Sequence, residues 1–160
     1  MNFQYYVSAW LAVRVLAEAE ASPLFDWPAA TTLESVSGET NQAVDDVLAI
    51  NSRRDLAFGQ AKRTLSLSAL ATSAFGSAVD QFTRQVLSNR VLVSGPRAWD
   101  RPLDPVRDRL VLFVGPGSTG PVKKVLPTLL GRVRTCKRAG KYLFESARAS
   151  RAFRASCGRR

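Results

Sequence analysis

Apolar and polar positions change period along this chain, and each change marks an element. Between residues 3 and 20, Phe3, Tyr6, Trp10, Val13 and Ala17 recur at spacings of three and four. That spacing predicts a helix with one buried stripe. SPLFDWP breaks it at 22–28, TTLESVS at 31–37 predicts a short strand, and GETNQ at 38–42 a loop. Residues 44–50 and 56–62 read as two strands joined by NSRRD, a polar turn of hairpin length. From about Ser68 the chain reads as helix, with Leu70, Phe75, Val79, Phe82 and Val86 on one face. SGPRAWDRPLDP is a proline-rich loop. RLVLFVGP at 109–116, an unbroken apolar run between turn residues, predicts a fully buried strand. Beyond Val122 the sequence is helical and basic.

Helix, three strands, helix, strand, helix predicts an α/β fold with a mixed sheet flanked by helices. The expected division is one domain over residues 1–135, followed by a basic C-terminal segment at 136–160, helical or disordered. A chain of 160 residues can bury such a core without disulfides or metals. The N-terminal apolar stretch lacks a basic lead-in and is interrupted by Arg14, so it reads as part of the fold rather than as a signal peptide. No run reaches the ~18 apolar residues of a membrane span.

Charge divides the chain more sharply than hydropathy does. Residues 121–160 hold 12 Lys/Arg and one acid, Glu145, for a net of +11, whereas residues 1–120 are at −1. Such a block suits a polyanion, because each neutralised phosphate releases condensed counterions. Arg134, Lys137, Arg138, Lys141, Arg148, Arg151 and Arg154 form a stripe if this segment is helical. GPGSTGPVKK at 115–124 has the glycine separation of a phosphate-binding loop. Pro121 and Val122 stand where that loop needs its Lys and Ser/Thr. What remains is a helix start beside Lys123 and Lys124, where a DNA backbone phosphate could rest.

Histidine is absent. That excludes Ser-His-Asp and Cys-His nucleophiles as well as zinc sites with imidazole ligands. Cys136 and Cys157 form no CxxC pair, which fits a reducing cytoplasm. Hydrolytic chemistry here must run on carboxylates, amides, lysines and a hard cation.

The hairpin concentrates those groups. With NSRRD as its loop, Ile50 pairs with Leu56, Leu48 with Phe58, Asp46 with Gln60 and Val44 with Lys62. Asp46, Gln60 and Lys62 then share one end of one face, while Asp45 points to the other. A register slip of one residue would exchange the two aspartates. A carboxylate, an amide oxygen and backbone carbonyls are hard ligands suited to Mg2+ or Mn2+. A lysine two residues beyond the amide can orient or deprotonate a water, or offset charge developing on a phosphate.

Asp46 followed by apolar strand residues and then Gln60-Ala61-Lys62 resembles the PD-(D/E)xK nuclease core in its Gln-x-Lys variant, familiar in Mrr-type restriction endonucleases. The longer pattern adds Glu34, the Asp45-Asp46 pair, a Ser-rich loop, a helix ending in DQF and a buried strand ending in Gly-Pro. It is similar to the double-stranded-DNA endonuclease domains of bacterial anti-phage effectors, over roughly residues 3–135. The resemblance implies a restriction-endonuclease-like core in which Asp46 and Gln60 bind Mg2+ or Mn2+, Ala61 lends its carbonyl, and Lys62 is catalytic. Glu34 is ranked first as a supporting acid, with Glu39 the other choice. Gln4 either faces substrate or helps the first helix begin; Ser66 and Ser68 either donate to phosphate or, for Ser68, cap a helix. The implied partner is double-stranded DNA, engaged also by Lys123, Lys124, Arg134, Lys137, Arg138 and Lys141. Cleaving both strands suggests a homodimer, and the effectors carry a sensor or ATPase module behind the nuclease domain. Two other readings compete: a catalytically inactive nucleic-acid-binding protein acting through its basic segment, and a nucleotide-binding regulatory domain.

Overall fold

The computed structural model describes residues 2–90 and 95–131. Helix α1 spans Phe3–Leu16 and α2 is a single turn, Ser22–Phe25. Strands β1 (Leu33–Ser37), β2 (Val47–Asn51) and β3 (Leu56–Lys62) follow, then α3 (Ala74–Arg90) and β4 (Arg109–Val114). The four strands make one mixed sheet in sequence order. β1–β2 and β2–β3 are antiparallel, and β4 runs parallel to β3 after the α3 crossover. The protein is therefore an α/β fold with a four-stranded mixed sheet flanked by helices.

The chain separates into two units, Met1–Thr119 and Gly120–Arg160; composition alone places that boundary at 135/136. In the second unit Pro121–Val125 form a π-helical turn that continues as α-helix through 126–131. Among the described residues no helix is long and apolar enough to cross a membrane.

Side-chain alternation divides the core of the first unit into two layers. On one side of the sheet Val47, Ala49 and Ala57 meet Val7, Leu11, Phe25 and Trp27 from α1, α2 and the turn after it. On the other side Leu48, Ile50, Leu56 and Phe58 meet Phe82 of α3 with Trp99 and Leu103 of the proline-rich loop. β2 is buried at every residue and β3 at its first five. This explains why the hairpin reads as two nearly continuous apolar runs. Its register, Ile50 on Leu56 and Leu48 on Phe58, is the one that the loop length predicts.

Three expectations about burial are corrected. The stripe of α1 that faces the core is Phe3, Val7, Leu11 and Val15, not Phe3, Tyr6, Trp10, Val13 and Ala17. Tyr6, Trp10 and Val13 are 55%, 46% and 62% exposed, and α1 ends at Leu16 with Glu18 at φ 48°. The helix is apolar on two sides, so spacing alone could not choose between them. Outside the core, the Arg14 guanidinium lies 5.5 Å from the Trp10 ring and covers part of it. Second, β4 is half-buried along its length rather than fully buried, because it is an edge strand paired only with β3. Third, α3 begins at Ala74, where Ser73 Oγ accepts from Gly76 N at 3.0 Å as its cap. The buried positions of α3 are Ala78, Gln85 and Asn89, while Val79 and Leu70 are exposed. Val79 instead lines an open apolar groove of about 390 Å³ with Phe82, Val86, Leu87 and Leu110.

Candidate active site at the open end of the hairpin

Asp46 stands one residue before β2, and continuing the Val47–Gly59 pairing by one step sets it opposite Gln60. The side chains meet. The Gln60 amide donates to Asp46 Oδ2, and the same oxygen accepts from the Ala61 backbone N–H at 2.7 Å. From α1, Gln4 Nε2 donates to the Asp46 carbonyl at 3.1 Å. Asp46 is half-buried, while Gln60 is 2% exposed. Having given its N–H2 to the carboxylate, Gln60 has an Oε1 that is buried and, among the described residues, without a hydrogen-bond partner. An orphaned buried oxygen costs about 1–3 kcal/mol. It is also an acceptor that no described residue engages.

Lys62 follows two residues later on the same face, half-buried at the end of β3. Among the described residues no hydrogen bond or ion pair engages its ammonium. The chain past Lys62 is tightly held. Gly115 N donates to the Lys62 carbonyl at 3.0 Å. A Cβ at Gly115 would lie 2.3 Å from the Arg63 carbonyl oxygen, so only glycine permits this approach. Leu65 N donates to Ser118 Oγ at 3.0 Å, and Thr119 N to the Leu65 carbonyl at 2.9 Å. The GPGST segment thus braces the exits of β3 and β4 side by side, at the carboxyl ends of two parallel strands where α/β sheets commonly bind ligands.

The remaining candidates separate. Asp46, not Asp45, carries the carboxylate that meets Gln60; the Asp45 carbonyl accepts from Glu39 N at 2.8 Å. Glu34 is not brought to the site. β1 is antiparallel to β2, so Leu33 sits beside Asn51 at the far end of the hairpin. A bulge between Leu33 and Ser35 interrupts the register there, and Glu34 pairs with Arg54 at 3.2 Å, 43% exposed. Glu39 is exposed in the loop after β1, at φ 53°. Ala61 presents its N–H to Asp46 Oδ2 at 2.7 Å. Ser68 Oγ accepts from Leu70 N at 3.2 Å and does not cap α3; Ser66 is exposed. Lys123 and Lys124 lie in the π-helical turn of the second unit. Arg134, Lys137, Arg138 and Lys141, with the whole 136–160 segment, lie outside the described residues.

Two groups of polar residues around the hairpin were not singled out from sequence. Gln85, fully buried, accepts from Val44 N at 2.9 Å and donates to Asn89 at 2.6 Å and to Gln42 at 3.2 Å. Asn89 in turn donates to the Arg101 carbonyl at 2.9 Å. The four-residue spacing of Gln81, Gln85 and Asn89 was the available signal, masked by the apolar residues between them. At the closed end, Asp108 accepts from Leu56 N, Asp104 N and both Arg101 Nη groups at 2.7–2.9 Å. Pairing with Asp108, chiefly that hydrogen bond, raises the Arg101 pKa further. Asp55 accepts from Asn51 Nδ2 at 3.1 Å and Arg107 Nε at 2.5 Å. No periodicity marks these acids, because each joins local partners to one some fifty residues away, Asp55 to Arg107 and Asp108 to Leu56.

Among the described residues no group of three or more Asp, Glu, Cys or His is arranged to hold a metal ion. The donor set at the open end is smaller: one carboxylate and one buried amide oxygen lacking a partner. With the Gln60 amide turned to present Oε1 instead of N–H2 on the carboxylate side, these would fit a hard cation of the Mg2+ kind, which keeps several waters and needs only one or two protein oxygens besides substrate phosphate. No family model, no curated protein and no solved structure matches this chain.

Proposed function

We propose that this chain is a divalent-cation-dependent endonuclease domain of restriction-endonuclease-like fold, hydrolysing phosphodiester bonds of double-stranded DNA in bacterial anti-phage defence. The observation that carries this reading is the convergence of Asp46 and Gln60, with an unsatisfied amide oxygen, beside a lysine that the described residues leave unpaired. A buried acceptor without a partner and a half-buried cation without a counter-ion are costs to folding, and such costs concentrate at working sites.

Asp46 and Gln60 would hold Mg2+ or Mn2+, which when bound polarises the phosphoryl group and acidifies a coordinated water. Asp46 supplies the fixed negative charge, aimed by the Ala61 N–H. Gln60 supplies a neutral oxygen, limiting anionic charge where DNA must approach. Lys62 sets its ammonium where a water can be oriented or charge on the phosphate offset. The β4 exit loop keeps Lys62 at that position through the Gly115–Lys62 bond. Double-strand cleavage calls for two such sites, so a homodimer is the expected assembly; two cysteines outside any CxxC spacing agree with a cytoplasmic setting. A sensor or ATPase module would supply the trigger.

A second reading is favoured by the +11 charge of residues 121–160: a catalytically inactive protein that binds nucleic acid through this segment, sequence-independently and salt-sensitively. Cleavage of supercoiled plasmid, with and without Mg2+, decides between them. Lys62→Ala should lower Mg2+-dependent cleavage about 10²–10³-fold while DNA retention in a gel-shift assay persists. Equal cleavage by variant and parent removes the mechanism. A parent that binds DNA but never cuts it, with either cation, leaves the binding reading.

A further inference from the structure

Asp46 stands just outside β2; the peptide before it is held by the bond from Glu39 N to the Asp45 carbonyl at 2.8 Å, and the one after it leads into Val47. Its carboxylate meets two donors on β3, so the orientation of the peptide that carries it bears on its aim. The only long-range contact described for the Asp46 carbonyl comes from α1: Gln4 Nε2 donates to it at 3.1 Å across 42 residues, half-buried. Gln4 is itself oriented. Asn2, the N-cap of α1, accepts from Gln4 N at 3.3 Å and donates from its amide to Gln4 Oε1 at 3.4 Å. With Oε1 engaged by Asn2, the N–H2 is the end of the Gln4 amide that is left to face the hairpin. A relay runs from the helix cap through one amide to the backbone of the candidate acid.

We propose that Gln4 is a positioning residue for the active site, holding the Asp46 peptide so that its carboxylate stays on Gln60 and Ala61. This rests on the nuclease reading for its consequence in catalysis, but not for its structural content. Val7 and Leu11 already dock α1 against the sheet, so helix attachment does not depend on Gln4. What Gln4 adds is the rotation of one peptide, and with it the aim of one carboxylate.

The strand contains both the probe and its control. Ala61 N–H donates to Asp46 Oδ2, and Leu56 N–H, at the other end of β3, donates to Asp108 Oδ1 at 2.9 Å. Exchange of these two amides, followed by NMR on the full chain, reports on each carboxylate separately. Gln4→Met removes the donor at nearly constant length. Gln4→Glu also removes it and suits the first turn of a helix, where negative charge is favoured, so it guards against a folding defect. Loss of one hydrogen bond predicts Ala61 exchange faster by about two- to tenfold in both variants, with Leu56 changed less than twofold. The Mg2+ concentration for half-maximal plasmid cleavage should rise by a similar factor, with the saturated rate within about twofold of the parent. Unchanged Ala61 exchange in both variants overturns the proposal. So does a parallel rise at Ala61 and Leu56, which would mean that Gln4 only stabilises the fold as a whole. If the parent does not cleave at all, the nuclease reading falls, and the exchange comparison still decides what Gln4 does.

Discussion

The two ends of the β2–β3 hairpin are built from the same kinds of residue and solve opposite problems. At the closed end two buried acids, Asp55 and Asp108, are matched by Arg107 and Arg101, and the remaining lone pairs take backbone N–H groups and Asn51. At the open end one acid takes an amide and a backbone N–H, one buried oxygen is left over, and a lysine among the described residues has no counter-charge. Saturation is what buried charge needs to be tolerated at all. The closed end is thus explained by folding alone. The open end is not, and its excess valence is the reason to look for a ligand there.

The comparison is broken most directly by removing an acid from the saturated end. Asp108→Ala leaves the Arg101 guanidinium, Leu56 N–H and Asp104 N–H without their acceptor, and should cost about 3–5 kcal/mol in urea unfolding. Lys62→Ala, which removes no bond between described residues, should leave the same unfolding curve within about 1 kcal/mol. If both variants unfolded alike, the two ends would not differ in kind.

The two buried glutamines sharpen it. Gln85→Leu strands the Val44 N–H and the Asn89 oxygen, predicting a loss of about 1–3 kcal/mol. Gln60→Leu gives up one bond to Asp46 but also deletes an unsatisfied oxygen. Its stability should fall by less than about 1 kcal/mol or rise, while Mg2+-dependent cleavage drops. An equal loss of stability in both, by chemical denaturation, would place Gln60 among the structural polar groups. The smallest effect belongs to Glu34→Ala. Its exposed pair with Arg54 should be worth less than about 0.5 kcal/mol, with plasmid cleavage unchanged. A cleavage defect there would bring Glu34 back to the site.

Much of the open end was legible because the hairpin is local. Five polar residues between two apolar runs set the register, and register alone puts Asp46 opposite Gln60. The place of Glu34, at the far end of the hairpin, was hidden for the same reason. A motif says which residue types accompany the hairpin but not that an antiparallel β1 delivers its first residues to the far end. Gln4 could be noticed as a polar residue opening a helix, yet its partner is an atom of the backbone, which has no signature in the sequence. The GPGST segment looked like a phosphate loop because a tight approach of two chain exits demands glycine just as a phosphate does.

The amino-acid sequence by itself determined the order of the strands and of α1 and α3, the hairpin pairing and the pairing of an acid with an amide, since these follow from the periods of the apolar positions and from one short loop; it did not mark the single turn α2. Only the tertiary structure decided which side of α1 faces the sheet, that β4 lies at an edge, and that Gln85 and Asn89 are buried rather than solvated. Each of those is a choice between surfaces of similar hydropathy. The choice is made by which arrangement satisfies backbone groups contributed from distant parts of the chain.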